Sequence, residues 1–130
     1  MKILLTLAVF SIVTFFYVKD SIVNTVWTYK VAKNANDTLR FKAHNIVIEY
    51  DCELNYTMKG TYKFSKDTLI VTMNDDSHSE DGGKPEIFRT KYFLKKNNTF
   101  LSVLTIQRLI RNNWEQVKAD AEYTGYKRIR

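Results

Sequence analysis

The chain of 130 residues contains little cysteine, proline, glycine or histidine: one Cys, one Pro, four Gly and two His. With a single thiol, no internal disulfide is expected. Scarce proline and glycine exclude a long flexible linker, so one compact domain is expected. Two histidines without metal-ligand spacing are a weak signal for zinc. The sequence also lacks a glycine-rich phosphate loop, a nucleotide-binding fingerprint and a Ser-His-Asp order, and we expect no cofactor.

The positive charge is also small once the N-terminal leader is set aside. The whole chain has a net charge of +6, but Lys2 and Lys19 lie in or beside the leader, which leaves 18 basic against 14 acidic residues. An excess of this size does not indicate a nucleic-acid partner, and none is expected. The remaining composition, 45% hydrophobic and 14% aromatic, is typical of a globular chain.

The leader MKILLTLAVFSIVTFFYV has one lysine followed by an uncharged apolar run over residues 3–18. A positive start and a short apolar run predict an export signal. An uncleaved membrane anchor stays open, because no A-x-A-like cleavage site precedes Lys19 and the run is close to a membrane-spanning length. We divide the chain into a signal peptide or N-terminal anchor, 1–19, and a folded domain, 20–130. The expected location is periplasmic, cell-envelope or secreted, with membrane contact only through the N-terminal segment.

The segment IVIEYDCELNYTM, residues 46–58, shows the clearest periodicity in the chain. Strict alternation of apolar and polar residues predicts a half-buried β-strand face. Thirteen extended residues would span about 43 Å, longer than an ordinary strand, so the segment is either bent around a barrel or folded near its middle. The side chains expected to face inward are those of the apolar parity: Ile46, Ile48, Tyr50, Cys52, Leu54, Tyr56 and Met58.

Further strands and hairpins are predicted on both sides of this segment. TVWTYKV and DTLRFK indicate two strands, GTYKFSKDTLIVTM a hairpin, and IFRTKYFLKKNNTFLSVLTI a second hairpin with its turn at KKNN. Residues 107–121 are ambiguous: their apolar residues fit a helical stripe, which favours a short helix or irregular cover before a last strand in EYTGYKRIR. Seven or eight hairpin-connected strands predict an all-β fold, a small antiparallel up-and-down β-barrel, preceded by the hydrophobic export segment or helix.

Three features carry a resemblance to a known family: Trp27 early in the folded domain, the GTYKF…DTLIVT hairpin and the closing GYKRI. Over roughly residues 27–129 the chain resembles the exported lipocalin-like domain proteins of bacteria, especially of the Bacteroidetes. The resemblance implies a small lipocalin-like barrel, sometimes with a cavity for an apolar ligand. It implies no catalytic residues.

The loop NDDSHSEDGGKP, residues 74–85, concentrates carboxylates around a Gly-Gly pair. Calcium requires oxygen ligands around a tight turn, but the spacing does not match the calcium-loop motif. A solvated connection between strands is the favoured interpretation, with weak metal binding second and acid–base catalysis last. We therefore expect no metal site, and the weak candidates are Asp75, Asp76, His78, Glu80 and Asp81.

The tyrosines are the second set of candidates, because Tyr50, Tyr56, Tyr62 and Tyr92 lie on the apolar parity of their strands. Phenols around a cavity offer apolar walls with hydrogen-bonding groups, which suits a small ligand; simple filling of a small barrel is the favoured alternative. The expected function is that of an exported, non-enzymatic, lipocalin-like barrel that binds a small hydrophobic ligand or a cell-envelope partner. The alternative is a metal-binding or acid–base enzyme that uses the loop at 74–85.

Overall fold

The computed structural model describes residues 22–119 and 123–130, so the predicted signal peptide or anchor at 1–19 lies outside the described residues. Nine strands are formed: β1 (Val26–Ala32), β2 (Ala35–Lys42), β3 (Ile46–Asp51), β4 (Tyr56–Ser65), β5 (Thr68–Asp75), β6 (Glu86–Lys95), β7 (Phe100–Ile110), β8 (Asn113–Gln116) and β9 (Gly125–Arg128). A 3-10 helix, Ser79–Asp81, lies between β5 and β6. Within these residues, no helix has the length and apolar character needed to cross a membrane.

Eight of the strands close into an antiparallel barrel. Strands β1 to β7 pair in chain order, and β9 completes the ring because it pairs with both β7 and β1. Among the described residues, strand β8 pairs with the last four residues of β7 alone, on the same edge that β9 uses at the beginning of that strand. The predicted all-β antiparallel barrel is therefore confirmed.

The long periodic segment at 46–58 is folded near its middle, as one of the two alternatives predicted. β3 and β4 form a hairpin around residues 52–55. The Asp51 carboxylate accepts hydrogen bonds from the backbone N–H groups of Glu53 and Leu54, at 2.9 and 3.0 Å, and Asn55 adopts the left-handed conformation with φ of 48°. Asp and Asn favour such turns because their side chains bond to nearby backbone and tolerate positive φ.

The predicted inward face of β3 is wrong. Val47, which is fully buried, pairs with the core residue Phe41, and Glu49 pairs with the core residue Leu39. Residues paired directly across antiparallel strands share a face, so Val47 and Glu49 are the residues of β3 that point into the barrel.

The opposite face of β3 carries the residues that the sequence pattern places inside. Ile48 pairs with the exposed Arg40, and Tyr50 pairs with Thr38 on the outer wall. Leu54, in the turn, is 60% exposed. The error arises because β3 has apolar residues on both faces and the interior accepts a carboxylate, so hydropathy alone selects the wrong face.

A helix between residues 107 and 116 is also ruled out. β7 continues to Ile110, a turn follows, and β8 runs back along β7. Arg111 and Asn112 both have positive φ, 48° and 66°, which is the requirement of a two-residue hairpin turn. The helical spacing of the apolar residues was therefore coincidental, because a turn at Arg111 and Asn112 interrupts the predicted helix; residues 120 and 121 of that predicted helix lie outside the described residues.

One end of the barrel is filled by the hydrophobic core. The segment before β1 folds across this end: Asn24 donates its N–H to the Phe41 carbonyl, and the Trp27 Nε1–H donates to Thr25 Oγ1 at 2.7 Å. The largest fully buried side chains are Trp27, Tyr126, Phe41, Ile22, Leu39, Leu69, Leu101 and Val47.

Two glycines allow the strands to approach closely. A Cβ at Gly60 would overlap the carbonyl oxygen of Thr72, and a Cβ at Gly125, where φ is 145°, would overlap that of Leu101. Glycine is the residue that tolerates such close backbone contact within a sheet. Gly125 therefore permits β9 to dock against β7 and close the barrel.

The face assignment of β3 predicts opposite results for two adjacent substitutions. Val47→Asp should destabilise the protein by more than about 4 kcal/mol, since it leaves a charge buried without a partner. Ile48→Asp, whose carboxylate reaches water on the outer wall, should cost about 1 kcal/mol. Urea unfolding of both full-length variants measures the difference, and a larger loss for Ile48→Asp would contradict this face assignment.

Candidate functional site

The end of the barrel opposite the filled core contains a cavity of about 250 Å³. Every strand of the ring contributes at least one side chain to its wall. The lining residues are Tyr29, Asp37, Glu49, Met58, Met73, Asp75, Phe88, Thr90, Tyr92, Ile106, Tyr123 and Tyr126. The wall is thus apolar and aromatic over most of its area, with a few converging polar groups, which is the usual character of a small-molecule site.

Four tyrosines form a cluster on one side of the cavity. The rings of Tyr29 and Tyr123 meet edge to face with centroids 4.9 Å apart, and Tyr126 lies 6.0 to 6.2 Å from Tyr29, Tyr92 and Tyr123. The hydroxyl oxygens of Tyr92 and Tyr123 are 3.4 Å apart. Edge-to-face packing fixes aromatic rings relative to one another, so these four rings form a preorganised wall.

Glu49 carries its carboxylate into the barrel interior, where its remaining exposure is to the cavity. The Tyr126 hydroxyl donates a hydrogen bond to Glu49 Oε1 at 3.2 Å. Burial is the main influence and raises the pKa of Glu49 to about 7; the carboxylates of Asp37, Asp51 and Asp75 raise it further, whereas the Tyr126 hydrogen bond lowers it. Glu49 therefore exchanges its proton near neutral pH.

The phenols of Tyr92, Tyr123 and Tyr126 stay protonated at neutral pH. Burial raises the pKa of Tyr92 well above its ordinary value, and it raises the pKa of Tyr123 and Tyr126 as well. The neighbouring Glu49 carboxylate acts in the same direction on all three, because a phenolate beside it would be repelled. These hydroxyls are accordingly available as hydrogen-bond donors and acceptors.

Two further carboxylates face the cavity and are held by backbone. Asp37 Oδ1 accepts the Cys52 N–H at 2.8 Å, and Asp75 Oδ1 accepts the Ser77 N–H at 3.0 Å. Each aspartate therefore stabilises the turn beside it with one oxygen.

Of the four tyrosines predicted as ligand-binding, the structure places only Tyr92 in the cavity wall. Tyr62 lies in the filled core, where its hydroxyl donates to the Lys42 carbonyl at 3.1 Å. Tyr56 is half-buried at the end of β4 that adjoins the turn. Tyr50 lies on the outer wall and donates to Asn55 Oδ1 at 3.0 Å. The predicted ring of these four phenols does not form.

The other tyrosines of the cavity wall had only weak signals in the sequence. Tyr29 lies on the same face of its strand as Trp27, and Tyr126 lies in the closing GYKRI segment. Both side chains point inward once β1 and β9 are placed in the ring of strands. Glu49 had no signal, since hydropathy patterns assign charged residues to the outside.

The acidic loop divides between the cavity and solvent. Asp75 ends β5 and faces the cavity, whereas the other candidates are exposed: Asp76, His78, Glu80 and Asp81. The loop is held by backbone bonds, among them that from the Gly83 N–H to the His78 carbonyl at 3.0 Å. Over the described parts of the chain, no group of three or more His, Cys, Asp or Glu side chains is placed to hold a metal ion.

A second depression lies on the outer wall. This groove, of about 660 Å³, is bordered by Tyr50 and Cys52 and by polar side chains of β2 and the turn before it. Partial burial, followed by the hydrogen bond and charge of Asp37, raises the pKa of the Cys52 thiol to about 11, so it is a weak nucleophile. The inner cavity, where buried aromatic and ionisable groups converge, is the stronger candidate site.

Compared with known proteins, the chain matches no family model, no curated protein and no solved structure. The function of the protein is therefore inferred from the geometry and chemistry of the cavity.

The buried Glu49 predicts a pH dependence of stability. Its carboxyl binds a proton more tightly in the folded chain, with pKa about 7, than in the unfolded chain, near 4.5. The resulting stabilisation is fully present below pH 4.5 and is lost as the pH rises through 7. Between pH 4.5 and 8 the wild type should lose about 3 kcal/mol of unfolding free energy relative to Glu49→Gln.

Urea unfolding at a series of pH values measures this difference. Glu53→Gln, in the exposed turn after β3, is the matched control and should retain the wild-type pH profile. Parallel profiles for wild type and Glu49→Gln would contradict a raised pKa at Glu49.

Proposed function

We propose that this chain is a non-enzymatic small-molecule binding protein with a lipocalin-like barrel, and that the ligand occupies the inner cavity. The observation that carries the proposal is the convergence of all eight ring strands on one cavity of about 250 Å³ that the side chains leave unfilled. Small barrels are normally filled by their side chains. An unfilled end with an aromatic wall and a few polar groups is the arrangement expected of a binding site.

The size of the cavity limits the ligand. An apolar cavity of about 150 Å³ is sufficient to hold benzene. A volume of about 250 Å³ therefore suits a molecule with one aromatic ring and a short substituent, or an aliphatic molecule of similar size. Met58 and Met73 in the wall are flexible side chains that adapt to the shape of such a ligand.

The phenols of the wall are suited to binding a ligand. The phenols of Tyr92, Tyr123 and Tyr126 remain protonated, so they orient a ligand through neutral hydrogen bonds. The thiol of Cys52 faces the outer groove and has a raised pKa. Together with the predicted leader at 1–19, these features support a binding protein of the cell envelope or the exterior.

A neutral one-ring probe tests the proposal. 4-Fluorobenzyl alcohol should bind the full-length protein and broaden its ¹⁹F NMR signal. Ile106→Trp places an indole in the cavity wall and should abolish the broadening by filling the space. Leu104→Trp is the matched control, because Leu104 lies on the same strand but is 52% exposed; it should leave the broadening unchanged.

Two results would contradict the proposal. One is a probe signal unaffected by the wild-type protein at millimolar concentration. The other is broadening that survives Ile106→Trp but not Leu104→Trp, which would place the site on the outer wall.

A further inference from the structure

The cavity carries charge of one sign only. Asp37, Glu49 and Asp75 contribute carboxylates from three strands, and the charged side chains in the described part of the wall are all carboxylates. We infer that the ligand is a small organic cation, an amine or ammonium group on an apolar or aromatic body, that binds with its charge at Glu49. This inference rests on the proposed function and names the chemical class of its ligand.

The hydrogen-bonding capacity of the carboxylates supports this assignment. Within the described residues, Glu49 accepts one hydrogen bond, from the Tyr126 hydroxyl, and Asp37 and Asp75 each use a single oxygen on backbone N–H. A carboxylate has about four acceptor positions. The three carboxylates therefore have further acceptor positions available to a ligand in the cavity. An ammonium group, which carries only hydrogen-bond donors, can fill these positions.

The tyrosine cluster provides a second, independent feature that favours a cation. The rings of Tyr29, Tyr92, Tyr123 and Tyr126 line the same cavity as the carboxylates, and the face of an aromatic ring carries the negative part of its quadrupole. Organic cations are attracted to such rings when they lie within about 6 Å of the ring centre. Aromatic faces beside an acidic group are the combination that recognises ammonium ligands.

The apolar part of the wall favours an organic cation over a bare metal ion. Phe88, Ile106 and the two methionines form the apolar part of the lining, and Met58 is the direct cross-strand partner of Glu49. A hard metal ion requires oxygen ligands on several sides, whereas these side chains offer a surface for hydrocarbon. An anionic ligand would be repelled by the three carboxylates.

Arg108 on β7 is a basic residue on the same face of the sheet as the cavity residue Phe88. Arg108 pairs with Phe88 at the mouth, and its guanidinium lies 3.6 Å from the Glu86 carboxylate. It therefore forms a partly exposed ion pair with Glu86 at the rim of the cavity.

Binding of a cation should release a proton from Glu49. Every titratable group that acts on Glu49 in the described residues is an acid. These groups are Asp37 on β2, Asp51 on β3, Asp75 on β5 and Tyr126 on β9, together with Tyr92 and Tyr123. An ammonium group beside the carboxyl favours the charged form and lowers its pKa. Below about pH 7 amine binding is consequently coupled to deprotonation, whereas binding of a neutral ligand is not.

Three probes of equal size and different charge test the inference on the full-length protein: 4-fluorobenzylamine, 4-fluorobenzyl alcohol and 4-fluorobenzoate. At pH 8 the amine should bind about tenfold or more tightly than the alcohol, and the benzoate should bind more weakly than both. Glu49→Gln should remove most of the protein's preference for the amine over the alcohol, measured as the ratio of the two dissociation constants in the same variant. Glu53→Gln, which removes a carboxylate from the exposed turn, should preserve the wild-type order.

Calorimetry on the wild type provides a readout that does not depend on any variant. At pH 6, amine binding should release protons, seen as a dependence of the measured heat on buffer ionisation enthalpy, and alcohol binding should not. The inference would be overturned if the protein bound the alcohol as tightly as the amine, or if amine binding released no proton. Either result would still agree with the proposed function. Binding of none of the three probes would overturn both.

Discussion

The closure of the barrel by β9 is the constraint on which the rest of the structure depends. This strand of four residues pairs with both β1 and β7 and so joins the two ends of the sheet. At its centre Tyr126, 1% exposed, packs against other cavity rings and donates a hydrogen bond to Glu49, 77 positions earlier in the chain. Because closure removes the open edges of a sheet, the same short strand stabilises the barrel and completes the wall of the cavity.

The barrel has two ends of different character, one filled by the core and one that contains the candidate site. Trp27, Phe41 and Leu69 fill one end, which the segment before β1 covers. Carboxylates and phenols occupy the other end, where about 250 Å³ remains unfilled. Filling one end supplies the apolar burial that a domain of this size needs, and that core in turn holds the strands that position Glu49 and the tyrosines.

The fold could be predicted because strands and turns have local signals in the sequence. The candidate site could not be predicted, because its position depends on how neighbouring strands are paired. The alternation at 46–58 and the hairpin patterns GTYKFSKDTLIVTM and IFRTKYFLKKNNTFLSVLTI indicate strands directly, whereas the helical spacing at 107–121 concealed the turn between β7 and β8. Which face of β3 points inward is decided by its pairing with Leu39 and Phe41, a property of the neighbouring strand. With that face reversed, Tyr50 was assigned to the interior and Glu49 to the outside, and the centre of the site was missed.

The position of Glu49 is itself an argument for function. A glutamate in the interior, beside Tyr126 and within the field of Asp37 and Asp75, lowers stability at neutral pH because burial disfavours its charge. An apolar residue there would pack without that loss. Interior positions that break the hydropathy rule without a structural gain are characteristic of binding and catalytic sites. The other three features of the cavity point the same way: its unfilled volume, its aromatic wall and its single sign of charge. A cationic ligand is the partner that would convert the unfavourable burial of Glu49 into a favourable interaction.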